Sequence, residues 1–399
     1  MLYDFVYFFS HASLYREATF PPTWHERRSS VLHFINTLPF LWQLAVLAVV
    51  FGVVTVGIAW VCNFFEDAAD YLGRNMPPGV KGATYYAMGS SMPEFWTTMA
   101  LLFFIVSPAS FAAGISVTAG SAVFNGNIIP MLSIMAVMSP FLLRIATFGI
   151  VSVVAGEKIS EIEIDRKAML RDGIALIIAE AALIVVLGFE TLTIWAGAGL
   201  VGLYIPYVLY MWWQAKNHTV EEAEEDDDED DDGEPMTTGK AWRWLILSTG
   251  ALVVLCFVLG EGIMESAHVM GVHPMVTALI LGAAASSVPD TILSVKDALK
   301  GNYEDAVANA FGSNTFDICI ALGLPLLIFT AVNGSIAMPT DADIQSLRIA
   351  LLVVSTLTVM VLLIPRKIKL VHGFMMGLLY IAFVGYALNN ELNWVTLPF

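Results

Sequence analysis

A chain of 399 residues with 57% apolar and 14% charged positions lies outside the composition of soluble domains, where roughly 25% are charged, and its repeated apolar runs mark a helical protein of the bilayer. The net charge of −17 is local, because Glu221 to Glu234 holds 12 of the 36 acidic residues. No basic patch supports nucleic-acid binding, and Cys62, Cys256 and Cys319 lack the spacing of a metal site or a disulfide framework.

Residues 1–39 read as an N-terminal tail around Pro21 and Pro22, without a signal-peptide pattern. Within it, Leu2–Leu14 is expected as a short interfacial helix or a loose tail. Ten apolar segments follow, at about 40–64, 77–105, 109–138, 173–189, 193–213, 242–264, 274–299, 304–331, 345–364 and 370–388. Pro140 and Arg144 interrupt residues 139–156, which are expected to extend or hinge the third segment rather than add an eleventh. The chain thus divides into a first transmembrane repeat (40–213), an acidic linker (214–240) and a second repeat (241–399). Like charges forbid a core in the linker, so it is expected to be disordered, with weak regulatory Ca2+ binding as the alternative. Alternating ten spans gathers Arg74, Lys158, Lys240, Lys296, Lys300, Lys369 and further cations on one side. The opposite connections near 106–109, 190–192, 265–273 and 332–344 hold no Lys or Arg. Cationic loops stay cytoplasmic, which puts the acidic linker there, in a plasma or an internal membrane; Arg16, Arg27 and Arg28 of the tail run against this rule.

In the seventh segment, Ala285-Ser286-Ser287-Val288-Pro289-Asp290 puts a carboxylate at membrane depth, where ionisable groups mark function. Pro289 lacks an N–H and crowds the carbonyl four residues back, so the helix is expected to break just before Asp290. The freed backbone oxygens then need protein, water or an ion. The second segment repeats the pattern in Ser90-Ser91-Met92-Pro93-Glu94. Further on, Gly120-Ser121-Ala122-Val123-Phe124-Asn125 matches Gly312-Ser313-Asn314-Thr315-Phe316-Asp317. Equivalent points lie an odd number of spans apart, which inverts one half relative to the other. The expected fold is all-α and polytopic, with about ten transmembrane helices in two inverted five-helix repeats. Its broken helices would enclose a midplane cation site, as in secondary transporters.

Hard cations such as Ca2+ take roughly six to eight oxygens. The repeats offer the carboxylates of Glu94, Asp290 and Asp317, the amide of Asn125, and the hydroxyls of Ser90, Ser91, Ser121, Ser286, Ser287 and Ser313. No His or Cys lies within either motif, which disfavours zinc or copper. Gly120 and Gly312 are expected at close helix approaches. Three negative charges exceed what one Ca2+ neutralises; three monovalent cations, Ca2+ with K+, or Ca2+ with a proton on Asp317 would match them. A site that accepts alternative cation sets but resists standing empty is the physical basis of exchange.

These motifs resemble the alpha-repeats (87–130 and 283–325) of the cation/Ca2+ antiporter superfamily, the Na+/Ca2+ exchangers. The second repeat, through Gly301–Asp305, is the nearer match, and the acidic linker fits the same pattern. The resemblance implies a secondary active antiporter, not an enzyme, that exchanges Ca2+ for Na+ by alternating access. It implies that Glu94 and Asp290 are central Ca2+ ligands shared by Na+. Asn125 and Asp317 would complete the site, and the six serines would line flanking Na+ positions. Asp317, followed by Gly323-Leu324-Pro325, is similar to the K+-dependent branch, which adds K+ as an optional co-transported ion. Ala122, Ala285 and Gly126-Asn127-Ile128-Ile129-Pro130 depart from the pattern.

A Ca2+/H+ or other divalent cation/proton antiporter is the alternative, although its Gly-Asn-x-x-Glu elements are absent. A membrane-embedded protease would need Gly-x-Gly-Asp or Gly-x-Ser-x-Gly, neither present. A passive channel would differ in lacking countertransport. Glu180 is expected in a structural hydrogen bond or in ion passage, Glu261 and Glu265 at the membrane interface, and His268 and His273 at the surface. Thr97, Thr98, Thr291 and Ser294 are expected to bond their own helix carbonyls.

Overall fold

A computed structural model describes residues 32–73, 87–105, 107–147, 159–163, 166–217, 236–337, 342–365 and 367–392. Leu2–Leu14, residues 148–158 and most of the acidic linker (218–235) lie outside the described residues. Each of the ten expected segments is helical over its described residues. The elements are α1 (Phe40–Gly73), α2 (Ala87–Ser90), α3 (Met92–Met99), α4 (Pro108–Met138), α5 (Pro140–Ala146), α6 (Arg166–Val186) and α7 (Ile194–Asn217). The second half holds α8 (Thr238–Met270), α9 (Pro274–Thr277), α10 (Ala283–Ser286), α11 (Val288–Lys300), α12 (Tyr303–Phe316), α13 (Gly323–Asn333), α14 (Ala342–Leu363) and α15 (Leu370–Leu392). Three π-helical turns, Ala100–Phe104, Ala278–Gly282 and Asp317–Leu322, interrupt this regularity.

Six helices are individually long and apolar enough to cross a membrane, and Pro274–Ser286 with Val288–Lys300, bent by 43°, makes a seventh. The remaining segments fall short for local reasons. Residues 74–86 lie outside the described residues, α6 carries Arg171, Asp172 and Glu180, and α14 is apolar only over Leu347–Leu363. The boundaries follow from capping. Ser107 and Ser110 form a reciprocal capping box ahead of α4, Thr237 caps α8, and Gly271 and Gly301 end α8 and α11 at φ 67° and 94°. Short α5 after Ser139 agrees with the hinge expected there.

The outward surface of the bundle is apolar. Leu41, Trp60, Trp195, Leu378 and Ile381 are exposed on the outer helices, facing where lipid would be, whereas α4 and the α12–α13 span are the most enclosed. Two short antiparallel ladders tie the ends of the bundle. β1 (Ile162–Glu163) pairs with β4 (Lys367–Ile368), and β2 (Thr191–Leu192) pairs with β3 (Ile336–Ala337). In each ladder, the connection after the third helix of one half meets the connection after the fourth helix of the other. Such reciprocal pairing is what a two-fold relation between the halves demands.

Glu261 and Glu265, expected at the membrane interface, are buried within the protein, on the helix α8 that packs against α1 and α9. Thr291 bonds its own helix at Ser287 O, 2.9 Å. Thr98 instead turns to Gly114 O and the Thr118 hydroxyl on α4, and Ser294 accepts from Asn309 Nδ2 at 2.9 Å. Adjacent helices compete successfully for these hydroxyls. His268 is exposed as expected, while His273 is half-buried and caps α9 through its ring nitrogen.

Candidate cation site

Each broken helix restarts with a proline in its first turn. The breaks fall at Ser91 and Ser287, so Pro93 and Pro289 occupy positions where a missing N–H costs nothing. The following residue in each, Glu94 or Asp290, therefore lies in a first helical turn, near unpaired N–H groups and the positive end of the helix dipole. That local logic delivers one carboxylate from each half to the bundle centre.

There the side chains converge. One carboxylate oxygen each from Glu94, Asp290 and Asp317 lies within 4.8 Å of the others, and all three residues are fully buried. Asn125 Nδ2 bridges two of them, donating to Asp290 Oδ2 and Asp317 Oδ2, each at 3.3 Å. Glu94 Oε1 accepts from Ser121 at 3.3 Å and from Ser287 at 3.0 Å. Asp290 Oδ1 accepts from Ser313 at 2.8 Å, and the Ser90 hydroxyl also approaches the Asp290 carboxylate. Glu94 and Asp290 are thus each served by the Gly-Ser serine of their own half and a helix-break serine of the other. Ser286 contacts Ser121 at 3.5 Å and reaches toward Glu94. Ser91 faces Asp317 without closing a hydrogen bond. All ten sequence-predicted residues therefore meet around one centre.

The cluster offers more oxygen than it satisfies. Glu94 Oε2, Asn125 Oδ1 and Asp317 Oδ1 are buried without a hydrogen-bond partner. Two unit negative charges 4 Å apart repel by about 4 kcal/mol even at an effective dielectric of about 20. Three in a buried cluster need bound cations or protons. The donor set consists of carboxylates, an amide and hydroxyls, which suits hard cations. On the same helix as Asn125, Pro130 lacks the N–H that would cover the Gly126 carbonyl.

Close packing holds the frame. A Cβ on Gly120 would lie 2.2 Å from the Leu279 carbonyl oxygen, so only glycine lets α4 meet the Ala278–Gly282 turn. At Gly312 the nearest described atom is the Tyr207 hydroxyl, at 3.9 Å; the close approach expected there is not found among the described residues.

Two features escaped the sequence reading. Asn314 donates to the Ala122 carbonyl at 2.8 Å, joining equivalent positions of the two halves; the repeat alignment contained that signal. Glu66, just past the apolar run that ends near residue 64, lies against Gly89, beside Ser90. With Asn63 and Lys296 it lines a cleft that reaches Pro289. The continuation of α1 to Gly73 is what brings it there.

The family model for "Sodium/calcium exchanger protein" matches residues 46–213 and 240–389. The chain belongs to that family. This exchanger is 24% identical over 347 residues to CaxA of Alkalimonas amylolytica, itself provisionally named as an antiporter, covering 86% of this chain and 97% of CaxA. It is 34% identical over 157 residues to sodium/potassium/calcium exchanger 1 of Homo sapiens, a match that spans 39% of this chain but only 14% of the human one. Among solved structures, the H+/Ca2+ exchanger CAX aligns with a TM-score of 0.64 at 13% identity, over 90% of this chain and 92% of CAX. At that identity the likeness is one of fold. The exchanger is accordingly a multi-pass membrane protein and a cation antiporter of the Na+/Ca2+ or Ca2+/H+ type.

Proposed function

We propose that this antiporter exchanges Ca2+ for Na+ by alternating access, and that Glu94, Asp290, Asp317 and Asn125 are the central ligands. Ser90, Ser91, Ser121, Ser286, Ser287 and Ser313 line the flanking monovalent positions. The observation that carries this reading is the convergence of three carboxylates within 4.8 Å, supplied by both halves and bridged by Asn125. Hydroxyls arrayed beside each acid favour metal cations over protons as counter-ion, because a proton needs no ring of oxygens. K+ co-transport fits the third charge, at Asp317. Proton coupling is the competing reading, since protons also discharge crowded acids. No covalent chemistry belongs to either reading. The two repeats act as the moving bodies, and the acidic linker joins them on the cytoplasmic side.

Isotopic Ca2+ uptake into proteoliposomes tests this. An outward Na+ gradient, with and without K+, should drive uptake, and a pH gradient alone should not. Uptake indifferent to Na+ would overturn the assignment.

A further inference from the structure

Away from the cation cluster, Glu180 on α6 is fully buried and neither of its carboxylate oxygens has a hydrogen-bond partner. The structural bond expected of it is not made. It faces Ser355 on α14, whose hydroxyl is also buried and unpartnered. These are the fourth helices of the two halves, so the pair sits on the seam between the repeats. A bare carboxylate enclosed in this way costs several kcal/mol unless neutralised.

Among the described residues, no cationic side chain does so. The elements packed against α6 are α7, α12, α14 and the turn Asp317–Leu322. Their titratable groups are Tyr204, Tyr207, Tyr210 and Lys216 on α7, Tyr303, Glu304 and Asp305 on α12, Asp317 and Cys319 in the turn, and Asp343 and Arg348 on α14. The polar side chain that acts on Glu180 is Ser355. On α6 itself, Arg171 is paired with Asp172 at 2.7 Å, more than two turns away. A metal ion is poorly served as well. Two carboxylate oxygens and one hydroxyl fall well short of the roughly six oxygens that a hard cation takes. A proton needs only one acceptor, and Ser355 supplies it.

The position is linked to the cation cluster. Ser355 and Thr358 are three residues apart on one face of α14. The Thr358 hydroxyl lies 2.8 Å from Asn127 Oδ1, its proton shared with the Val354 carbonyl at 2.9 Å, and Asn127 stands two residues beyond Asn125 on α4. A Cβ on Gly126 would lie 3.6 Å from Asn314 Nδ2 and 3.7 Å from Thr358 Cγ2, so α4, α12 and α14 meet at that residue.

We propose that Glu180 is a proton-binding site, hydrogen-bonded to Ser355 when neutral, and that loss of its proton loosens the α6–α14 seam and slows cation exchange through Thr358 and Asn127. The site does not depend on which ion exchanges with Ca2+. Infrared difference spectroscopy on the full chain in lipid nanodiscs, without any ion gradient, reads it directly. A pH step should remove the carbonyl band of a protonated carboxyl. That band should be missing in Glu180→Gln and displaced in Ser355→Ala. In proteoliposomes, Ca2+ uptake should fall several-fold at alkaline pH in the unmodified protein, while Glu180→Gln, locked in the neutral form, keeps its rate. Persistence of the full band in Glu180→Gln, or identical pH profiles for the two proteins, would overturn the proposal.

Discussion

Past Asn125, α4 continues as an α-helix through Pro130, which cannot cover the Gly126 carbonyl; past Asp317, where the equivalent position is Leu322, the chain widens into a π-helical turn. A similar contrast holds at the helix breaks. The first half has a π turn at Ala100–Phe104 after Glu94, while the matching stretch of α11 after Asp290 is regular helix. Both halves disturb the hydrogen-bond ladder beside their ligands, but by different chemical means. Wider turns recur at functional sites because they loosen backbone groups. What the two-fold relation preserves is the placement of oxygen; the local device that frees it differs. The halves also differ in charge. Asn125 contributes an amide where Asp317 contributes a carboxylate, so the third negative charge of the cluster belongs to the second half alone.

The strongest test of equivalence between the halves removes one central acid at a time. Glu94→Gln and Asp290→Asn should each abolish Ca2+ uptake. Removing one partner from a buried charge network costs about 3–5 kcal/mol, which is about a hundredfold or more in binding. Isotopic uptake checks this with surface expression as control. Normal uptake in either variant would show that its half does not hold the ion.

Asp317→Asn makes the halves alike and should have a smaller, more specific effect. Ca2+ uptake should survive at a reduced rate, and the number of monovalent charges exchanged per Ca2+ should drop by one. Reversal-potential measurements on proteoliposomes read that number. An unchanged ratio would break the link between Asp317 and the counter-ion. The mirror change, Asn125→Asp, adds a like charge to an already crowded cluster and should weaken uptake rather than extend it.

Much of this was visible in the chain. The two Ser-Ser-x-Pro-acid breaks, the Gly-Ser-x-x-Phe-Asn/Asp elements and the ten helical segments followed from apolar runs and internal repetition, which are local properties. What was hidden depended on tertiary neighbours. The fourth apolar segment is expected from about residue 173, yet α6 begins at Arg166, so its polar first turns, with Asp172 paired to Arg171, belong to the helix. Pro130 lies inside the third segment, and α4 runs unbroken through it as the apolar run from 109 to 138 implied, with α15 and α12 packed against it. Glu66 was invisible because the end of α1 is set by its contacts, not by the end of its apolar run.

Packing offers a test of intermediate size. Gly120→Ala drives a methyl group into the Leu279 carbonyl, a backbone atom that cannot rotate away. Overpacking of this kind costs roughly 1–3 kcal/mol. It should lower the thermal midpoint in detergent and slow uptake, because α4 carries Asn125. Gly312→Ala meets only the Tyr207 hydroxyl at 3.9 Å among the described residues, so its midpoint should match the unmodified protein. Equal losses in both would mean that the halves are packed alike.

The smallest expected effect separates the two ladders at the ends of the bundle. Lys367 of β4 forms an ion pair with Glu161, next to β1; among the described residues, no ion pair accompanies the β2–β3 ladder. The Lys367 ammonium holds the Glu161 carboxyl below its ordinary range, chiefly through their hydrogen bond. A carboxyl depressed in the folded state stabilises the protein above its unfolded value of about 4.3, and that contribution disappears as pH falls through the folded value. Thermal midpoints of Lys367→Ala and the unmodified protein should therefore differ slightly at neutral pH and low salt. They should converge in acid, and also at high salt, since both groups are solvent-exposed and screened. A gap that persists in acid would trace the difference to strand pairing between Glu163 and Lys367 rather than to charge.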